Sequence, residues 1–257
     1  MCWSGEASTV LATVGLGSTA YAAYKKEPVV LWTALGYFSL MEALQAFTYS
    51  VIDECDNPAN QIATLLGYLH ISFQPFFIHA VSMYFIPDRI RKRIQVPVYA
   101  LCFLGAITML IQLYPFEWAG ACHEARPLCG SILCSFSGEW HIAWSVPTNG
   151  IGNSVANISY LGFVSTGFFV YELVGFYLPV LYGSWRFTAY HYIMGPLAAG
   201  LLTSNINEWP AIWCLLSIGL LLIVVKTPIR KFLHVKKWFW WKWIWPEKND
   251  STTTMEQ

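Results

Sequence analysis

The chain has 257 residues, of which 56% are hydrophobic and only 12% charged, against about a quarter charged in soluble domains. Its 15 basic and 15 acidic side chains cancel to a formal net charge of +0, so no bulk electrostatic pull towards nucleic acid or an acidic partner exists. These values exclude an ordinary soluble domain and a nucleic-acid binder, and they point to a polytopic membrane protein whose first partner is the lipid bilayer.

Seven apolar stretches of about 20 residues recur, each long enough to cross roughly 30 Å of hydrocarbon as a helix. In chain order they are predicted at roughly 6–24, 29–51, 60–86, 95–115, 154–181, 186–204 and 208–226. The first lacks a basic n-region and carries Lys25 and Lys26 on the wrong flank for a cleaved signal peptide, so it is expected to be retained. Pro75 interrupts the third and the sixth is short and glycine-containing, which favours kinks where neighbouring helices satisfy the freed backbone groups. The expected fold is all-α: a seven-helix transmembrane bundle over residues 1–227, with an outer loop at 116–153. Residues 228–257 follow as a cytoplasmic segment, with "WFWWKWIW" at 238–245 expected to lie as a helix in the membrane interface before a polar tail.

Positive charge sets the orientation. Lys25 and Lys26, "PDRIRKRIQ", Arg186 and "KTPIRKFLHVKKW" fall on one side of the predicted spans. The other side holds "DECDNPANQ", residues 116–153 and "SNINE", with acids, one arginine and no lysine. The N-terminus is therefore expected outside or in the lumen and the C-terminus in the cytoplasm. Cys55, Cys122, Cys129 and Cys134 all fall in the non-cytoplasmic loops, where disulfides persist. Two disulfides are expected, with three pairings open. Cys102 and Cys214 lie in predicted helices and read as packing residues. The sequon Asn249-Asp250-Ser251 sits on the predicted cytoplasmic tail.

Ionisable side chains inside hydrocarbon are costly and mark function. Glu42 is expected roughly 10 Å below the outer surface in the second span and His70 roughly 15 Å below it in the third, so the two can meet. Gln45 lies near Glu42, Gln74 is one turn beyond His70, and Glu208 opens the last span just after Asn205 and Asn207. Together they predict a polar pocket opening outward. In the outer loop, "GEWHIAW" places Glu139 and His141 between Trp140 and Trp144, as a re-entrant or interfacial rim or lid for that pocket. Glu42, His70, Glu139, His141 and Glu208 are the candidate catalytic groups; Gln45, Gln74, Asn205, Asn207, Trp140 and Trp144 are candidate binding groups. The donors His70, His141, Glu42 and Glu139 could hold a divalent transition metal. Cys2, with Met1 removed, would add an amine and a thiol at the outer mouth. A second group, His79, Glu172, Arg186 and His191, is expected as a structural network at the cytoplasmic end.

No retinal is expected, because Lys226 stands only at the edge of the last span, and nothing points to a nucleotide. "GYFSLMEALQAF" and "NEWPAIW", which supply Glu42 and Glu208, resemble the integral-membrane terpene cyclases of fungal meroterpenoid pathways, which implies an acid-catalysed terpenoid reaction at those two positions. Six stretches running from end to end, "MCWS", "GYFSLMEALQA", "NPANQ", "YLHISFQPFF", "GEWHIAW" and "NEWPAIWC", resemble an uncharacterised family of membrane proteins that begin Met-Cys-Trp-Ser. That resemblance implies the architecture and brings no activity, substrate or cofactor. The functional expectation is an intramembrane enzyme using acid/base chemistry on a lipid-like or terpenoid-like small molecule, with Glu42 as acid or base and His70 as its partner. A small-molecule transporter and a non-catalytic binding or sensing protein are the other two classes.

Overall fold

The computed structural model describes residues 3–123, 126–152 and 169–241. Cys2, residues 154–168 of the fifth predicted span, and the tail from 242 onward with its sequon lie outside them.

The described chain is mostly helical. Helix α1 spans Gly5–Tyr24, started by Ser4, whose Oγ accepts the Ala7 N–H. Helix α2 spans Val29–Thr48 and tightens into a 3-10 turn at Tyr49–Val51. Helix α3, Pro58–Tyr84, is capped by Asn57, whose Oδ1 accepts the Ala59 N–H at 2.9 Å, with Pro58 in the first turn where its missing N–H costs nothing. Helix α4 spans Asp88–Ile111. Helix α5 comprises Phe169–Glu172 and Leu178–Leu181 joined by a π-turn at Leu173–Tyr177. Helix α6 comprises Trp185–Tyr192 and Ala198–Leu202 joined by a second π-turn at Ile193–Leu197, which contains Pro196. Helix α7 spans Trp209–Lys226, and the short α8 spans Ile229–Leu233.

Three of these, α2 with its terminal turn, α4 and α7, are long and apolar enough to cross a membrane. Val10 and Val14 of α1, Leu40 of α2 and Phe103 and Leu104 of α4 are exposed on the outward faces, an apolar surface that a water-facing protein avoids. Inside, α2 packs against α1, α3 and α7. The approach of α1 to α2 is set by small residues: a Cβ on Gly15 would lie 2.2 Å from Ser39 Oγ.

The expectation of an all-α chain needs one correction. Residues Cys134–Ser137 (β1) and Ile142–Ser145 (β2) pair antiparallel, with Cys134 opposite Ser145 and Ser137 opposite Ile142. Four-residue strands are too short for an alternating pattern to stand out. This hairpin lies over the N-terminal end of α3. Asn60, fully buried, exchanges hydrogen bonds with both the N–H and the carbonyl of Ser135, and Asp53 accepts from the N–H and hydroxyl of Ser137. The disulfide Cys55–Cys134 fixes the same junction, and Cys122–Cys129 closes a small loop beside it. Two disulfides form from the four loop cysteines, and Cys102 and Cys214 are free and buried.

At the far end, the helix expected at 238–245 lies mostly outside the described residues, and residues 234–238, which lead into it, are not helical. Trp238 Nε1 donates to Leu181 O and Trp241 Nε1 to Tyr182 O, clasping the α5–α6 turn. Gly183, at φ +104°, is required there, since a Cβ would come within 2.8 Å of Trp241. Indole N–H groups seek acceptors when buried, and the open carbonyls at a helix end provide them.

Candidate functional site

The hairpin tip "GEWH" is held by the helix it faces. Glu208, directly before α7 and fully buried, accepts the backbone N–H of Glu139 on Oε1 at 2.7 Å, and those of Trp140 and His141 on Oε2 at 2.8 and 2.9 Å. The Thr203 hydroxyl adds a bond to Oε1 at 3.3 Å. A carboxylate accepting several N–H groups is a strong, geometrically exacting clamp. Gly138 makes room for it: a Cβ there would sit 2.3 Å from Glu208 Cδ. Asn207 extends the clamp, accepting Leu128 N–H on Oδ1 at 2.7 Å and Trp144 N–H on its carbonyl at 3.2 Å. Asn205 stays within its own turn, its Oδ1 accepting the Asn207 N–H at 3.1 Å.

The two expected catalytic acids of this region face different surroundings. Glu208 has both carboxylate oxygens on the hairpin backbone. Glu139 is exposed, with Oε2 accepting from the Thr203 hydroxyl, whereas His141 two residues on is fully buried. A hairpin turn, unlike an extended strand, does not send positions i and i+2 to one side. Trp144 is likewise a buried core residue packed against Gly67 of α3, not a rim.

The clamp delivers His141 and Trp140 to the end of the bundle where α1 starts and α2 finishes. The His141 ring lies 5.8 Å from that of Tyr49 at an interplanar angle of 12°, and Nδ1 meets the Tyr49 hydroxyl at 2.7 Å. Trp3 stacks on Trp140 at 5.7 Å and stands 6.1 Å from the His141 ring, while its backbone N–H donates to the Trp140 carbonyl. Burial holds the His141 pKa down to about 3, so the ring is neutral at pH 7 and one nitrogen can accept a hydrogen bond.

On the helix below, Glu42, Gln45 and Tyr49 share a face at i, i+3 and i+7. Glu42 is fully buried, and neither carboxylate oxygen has a hydrogen-bond partner. Trp3 and Ser8 of α1 are its polar neighbours but do not reach it with hydrogen-bond geometry; the Trp3 indole N–H is spent on Ser8 Oγ at 2.8 Å. Gln45 gives its Nε2 to the Ala211 carbonyl of α7 and leaves Oε1 without a donor, and His141 Nε2 is also buried and unpartnered. Tyr49 lies within electrostatic reach of both Glu42 and Glu208.

His70 does not meet Glu42. Its ring stacks on Tyr37 at 3.8 Å, Tyr37 stacks in turn on Phe77 at 3.7 Å, and the Tyr37 hydroxyl donates to the His70 carbonyl. Tyr37 and Glu42 are five residues apart, about 140° around the helix, so His70 and the carboxylate occupy different faces of α2. Gln74 is buried with Nε2 unpartnered. The metal set of His70, His141, Glu42 and Glu139 is not assembled: among the described residues no three His, Cys, Asp or Glu side chains are grouped to hold a metal ion.

The expected cytoplasmic network also divides. His79 bonds the Tyr182 hydroxyl and the Val174 carbonyl, joining α3 to α5. His191 accepts from Trp213 Nε1 at 3.0 Å and stacks between Phe176 and Phe187. Arg186 donates to the Phe232 and His234 carbonyls, tying the α5–α6 turn to the tail. Glu172 is half-buried at the start of the α5 π-turn. His79, His191 and Arg186 bond backbone carbonyls, a tyrosine hydroxyl and an indole at three different junctions.

Sequence reasoning assigned no role to Trp3, Ser8, Tyr49, Thr203, Asn60, Asp53 or Gly138. Tyr49 was within reach, standing two turns from Glu42 on the same face; the rest depend on contacts between distant segments.

No match was found among curated proteins or among solved structures, and the likeness to terpene cyclases is not supported. A family described as being of unknown function, DUF5765, matches residues 6–234. That match takes in the helices from α1, all but its first residue, to α8, the disulfide-bonded hairpin and Glu42, Gln45, Tyr49 and His141, and the chain belongs to this family.

Proposed function

We propose that the chain is a seven-span membrane protein, with its N-terminus outside or lumenal and its C-terminus cytoplasmic, whose outer half performs acid/base chemistry on a lipid-like or small-molecule substrate. The distribution of charge supports the orientation. Arg230 pairs with Glu27 at 2.7 Å and bonds the Tyr84 hydroxyl, gathering the basic turn after α1, the end of α3 and α8 at one end of the bundle. Both disulfides lie at the other.

The observation that carries the functional reading is the Glu42 carboxylate, fully buried with both oxygens lacking a donor. Buried polar groups in native proteins are almost always satisfied, and an exception calls for a role. In this reading Glu42 gives or takes the reacting proton, and the Tyr49–His141 pair, linked at 2.7 Å, holds a proton beside it. Glu208 acts as a positioning residue, since its carboxylate is bonded to the hairpin backbone and to Thr203.

A transporter is the second reading. It is favoured by the π-turns in α5 and α6, a helix irregularity frequent at functional sites. Untargeted mass spectrometry of molecules co-purifying with the wild type and with Glu42→Gln, followed by turnover assays on extracted lipids, tests the first reading. A bound species or product lost in Glu42→Gln is expected; identical profiles without turnover would reject it. Solute uptake into proteoliposomes would select the second.

A further inference from the structure

The unpartnered atoms around Glu42 have a common chemistry. Glu42 Oε1 and Oε2 and Gln45 Oε1 are acceptors, and all three lack a donor. Gln45 cannot reverse its amide without giving up the Ala211 carbonyl. His141 Nε2 is also without a partner, and it is an acceptor in the tautomer whose Nδ1–H donates to the Tyr49 hydroxyl. The side chains are 0–1% exposed, so bulk water does not complete them. Rings enclose the same place: Trp3 and Trp140 stacked at 5.7 Å, Tyr49 and His141 stacked at 5.8 Å, and Trp3 6.1 Å from His141. With the Trp3 indole N–H given to Ser8 Oγ and Gln45 Nε2 to the Ala211 carbonyl, the open acceptors are one carboxylate, an amide oxygen and an imidazole nitrogen, beside the hydroxyls of Ser8 and Tyr49; what they are short of is N–H donors and positive charge.

We propose that the Glu42 enclosure binds a protonated primary amine, its three N–H groups directed to Glu42, Gln45 and His141 and its charge faced by Trp3, Trp140 and Tyr49. This rests on the reading of Glu42 as a functional carboxylate and names the class of ligand it serves. The chemistry separates amines sharply. A primary ammonium carries three donors and a unit charge. A trimethylammonium keeps the charge and the attraction to ring faces but brings no donor, so it would bury the acceptors still unsatisfied. A neutral alcohol brings one donor and no charge. The amine could belong to an ethanolamine lipid headgroup or to a free amine, and both offer the same –NH3+ group. Entry is at the hairpin tip, whose Trp140 and His141 form one wall and are held by Glu208.

The test uses the full chain in phosphatidylcholine nanodiscs, titrated with dodecylamine, dodecyltrimethylammonium and dodecanol. Tryptophan fluorescence, sensitive to the Trp3–Trp140 stack, and the shift in thermal unfolding are the readouts. The wild type is expected to bind dodecylamine at least about tenfold more tightly than either analogue, the margin of one charge-assisted hydrogen bond. That preference should vanish in Glu42→Gln and shrink in Gln45→Leu. Equal affinity for the three probes, or a preference that survives Glu42→Gln, would overturn the proposal. Stronger thermal stabilisation by phosphatidylethanolamine nanodiscs than by added ethanolamine would place the amine on a lipid, and the reverse would make it a free solute; a primary-amine preference is needed in both. If Glu42→Gln changes the co-purified species while the probes bind equally, the amine assignment fails and the functional reading of Glu42 stands.

Discussion

Replacing Glu208 by glutamine keeps the length of the side chain and converts one oxygen into an NH2 group. The carboxylate now accepts backbone N–H groups at 2.7, 2.8 and 2.9 Å. With the amide carbonyl in the place of Oε2, the bonds to Trp140 and His141 survive as neutral ones, while the new NH2 faces the Glu139 N–H donor to donor. One bond to a charged group is lost, worth about 1.5–3 kcal/mol. Global stability is a poor gauge of this, because the glutamine also removes the desolvation cost of a buried charge. Local opening is the better one. At about 1.4 kcal/mol per tenfold, hydrogen exchange at the amides of Glu139, Trp140 and His141 should accelerate roughly 10- to 150-fold. The Cys55–Cys134 disulfide and the Asn60 bonds hold the strand ends, so exchange in α2 and α7 should not change. Hydrogen–deuterium exchange with mass spectrometry on nanodisc-embedded protein measures this. Acceleration below roughly threefold at the tip, or equal acceleration throughout the helices, would refute the clamp.

Gly138→Ala, whose Cβ would stand 2.3 Å from Glu208 Cδ, should give the same tip exchange as Glu208→Gln, and the double variant should be little worse than either, as expected for residues in one contact. His141, held at a pKa of about 3 against the usual 6.5, binds its proton more weakly folded than unfolded. Its contribution to stability is therefore complete above pH 6.5 and is lost as pH falls from there towards 3, at up to about 1.4 kcal/mol per pH unit; unfolding followed from pH 7.5 to 4.5 should show a shallower decline in His141→Asn, and parallel curves would contradict the assignment. Asn249-Asp250-Ser251 should remain unglycosylated when the chain is made in a eukaryotic host, and glycan on Asn249 would invert the proposed orientation.

The helices were legible because the hydrocarbon requirement writes length and apolarity directly into sequence. The predicted start of the second span at residue 29 and the ends of the first at 24 and the last at 226 coincide with the ends of α2, α1 and α7. Asn57 and Pro58 announced the start of α3 by ordinary capping chemistry. Rotation of one helix about its axis relative to another carries no such signature, which is why Glu42 and His70 were paired across faces that do not meet. The hairpin tip was less legible still. Its clamp joins residues 67–69 positions apart, and its disulfide closes across 79. The positions of the four loop cysteines between the predicted spans gave no pairing, and "GEWHIAW" disclosed unusual residues without disclosing that Glu208 was their partner. The π-turns depend on how α5 and α6 pack, and no local pattern marks them.

The most direct test of whether Glu42 is kept for function is the thermal unfolding of ligand-free Glu42→Gln beside the wild type, together with bound ligand or turnover per folded molecule. Because neither carboxylate oxygen is hydrogen-bonded, the substitution removes no bond between helices. Unfolding should therefore be unchanged or shifted upward while binding or turnover is abolished. A fall of roughly 2–4 °C or more, equivalent to about 1 kcal/mol in a chain of this size, with function reduced only in proportion to the folded fraction, would show that Glu42 holds the bundle together and would contradict the account.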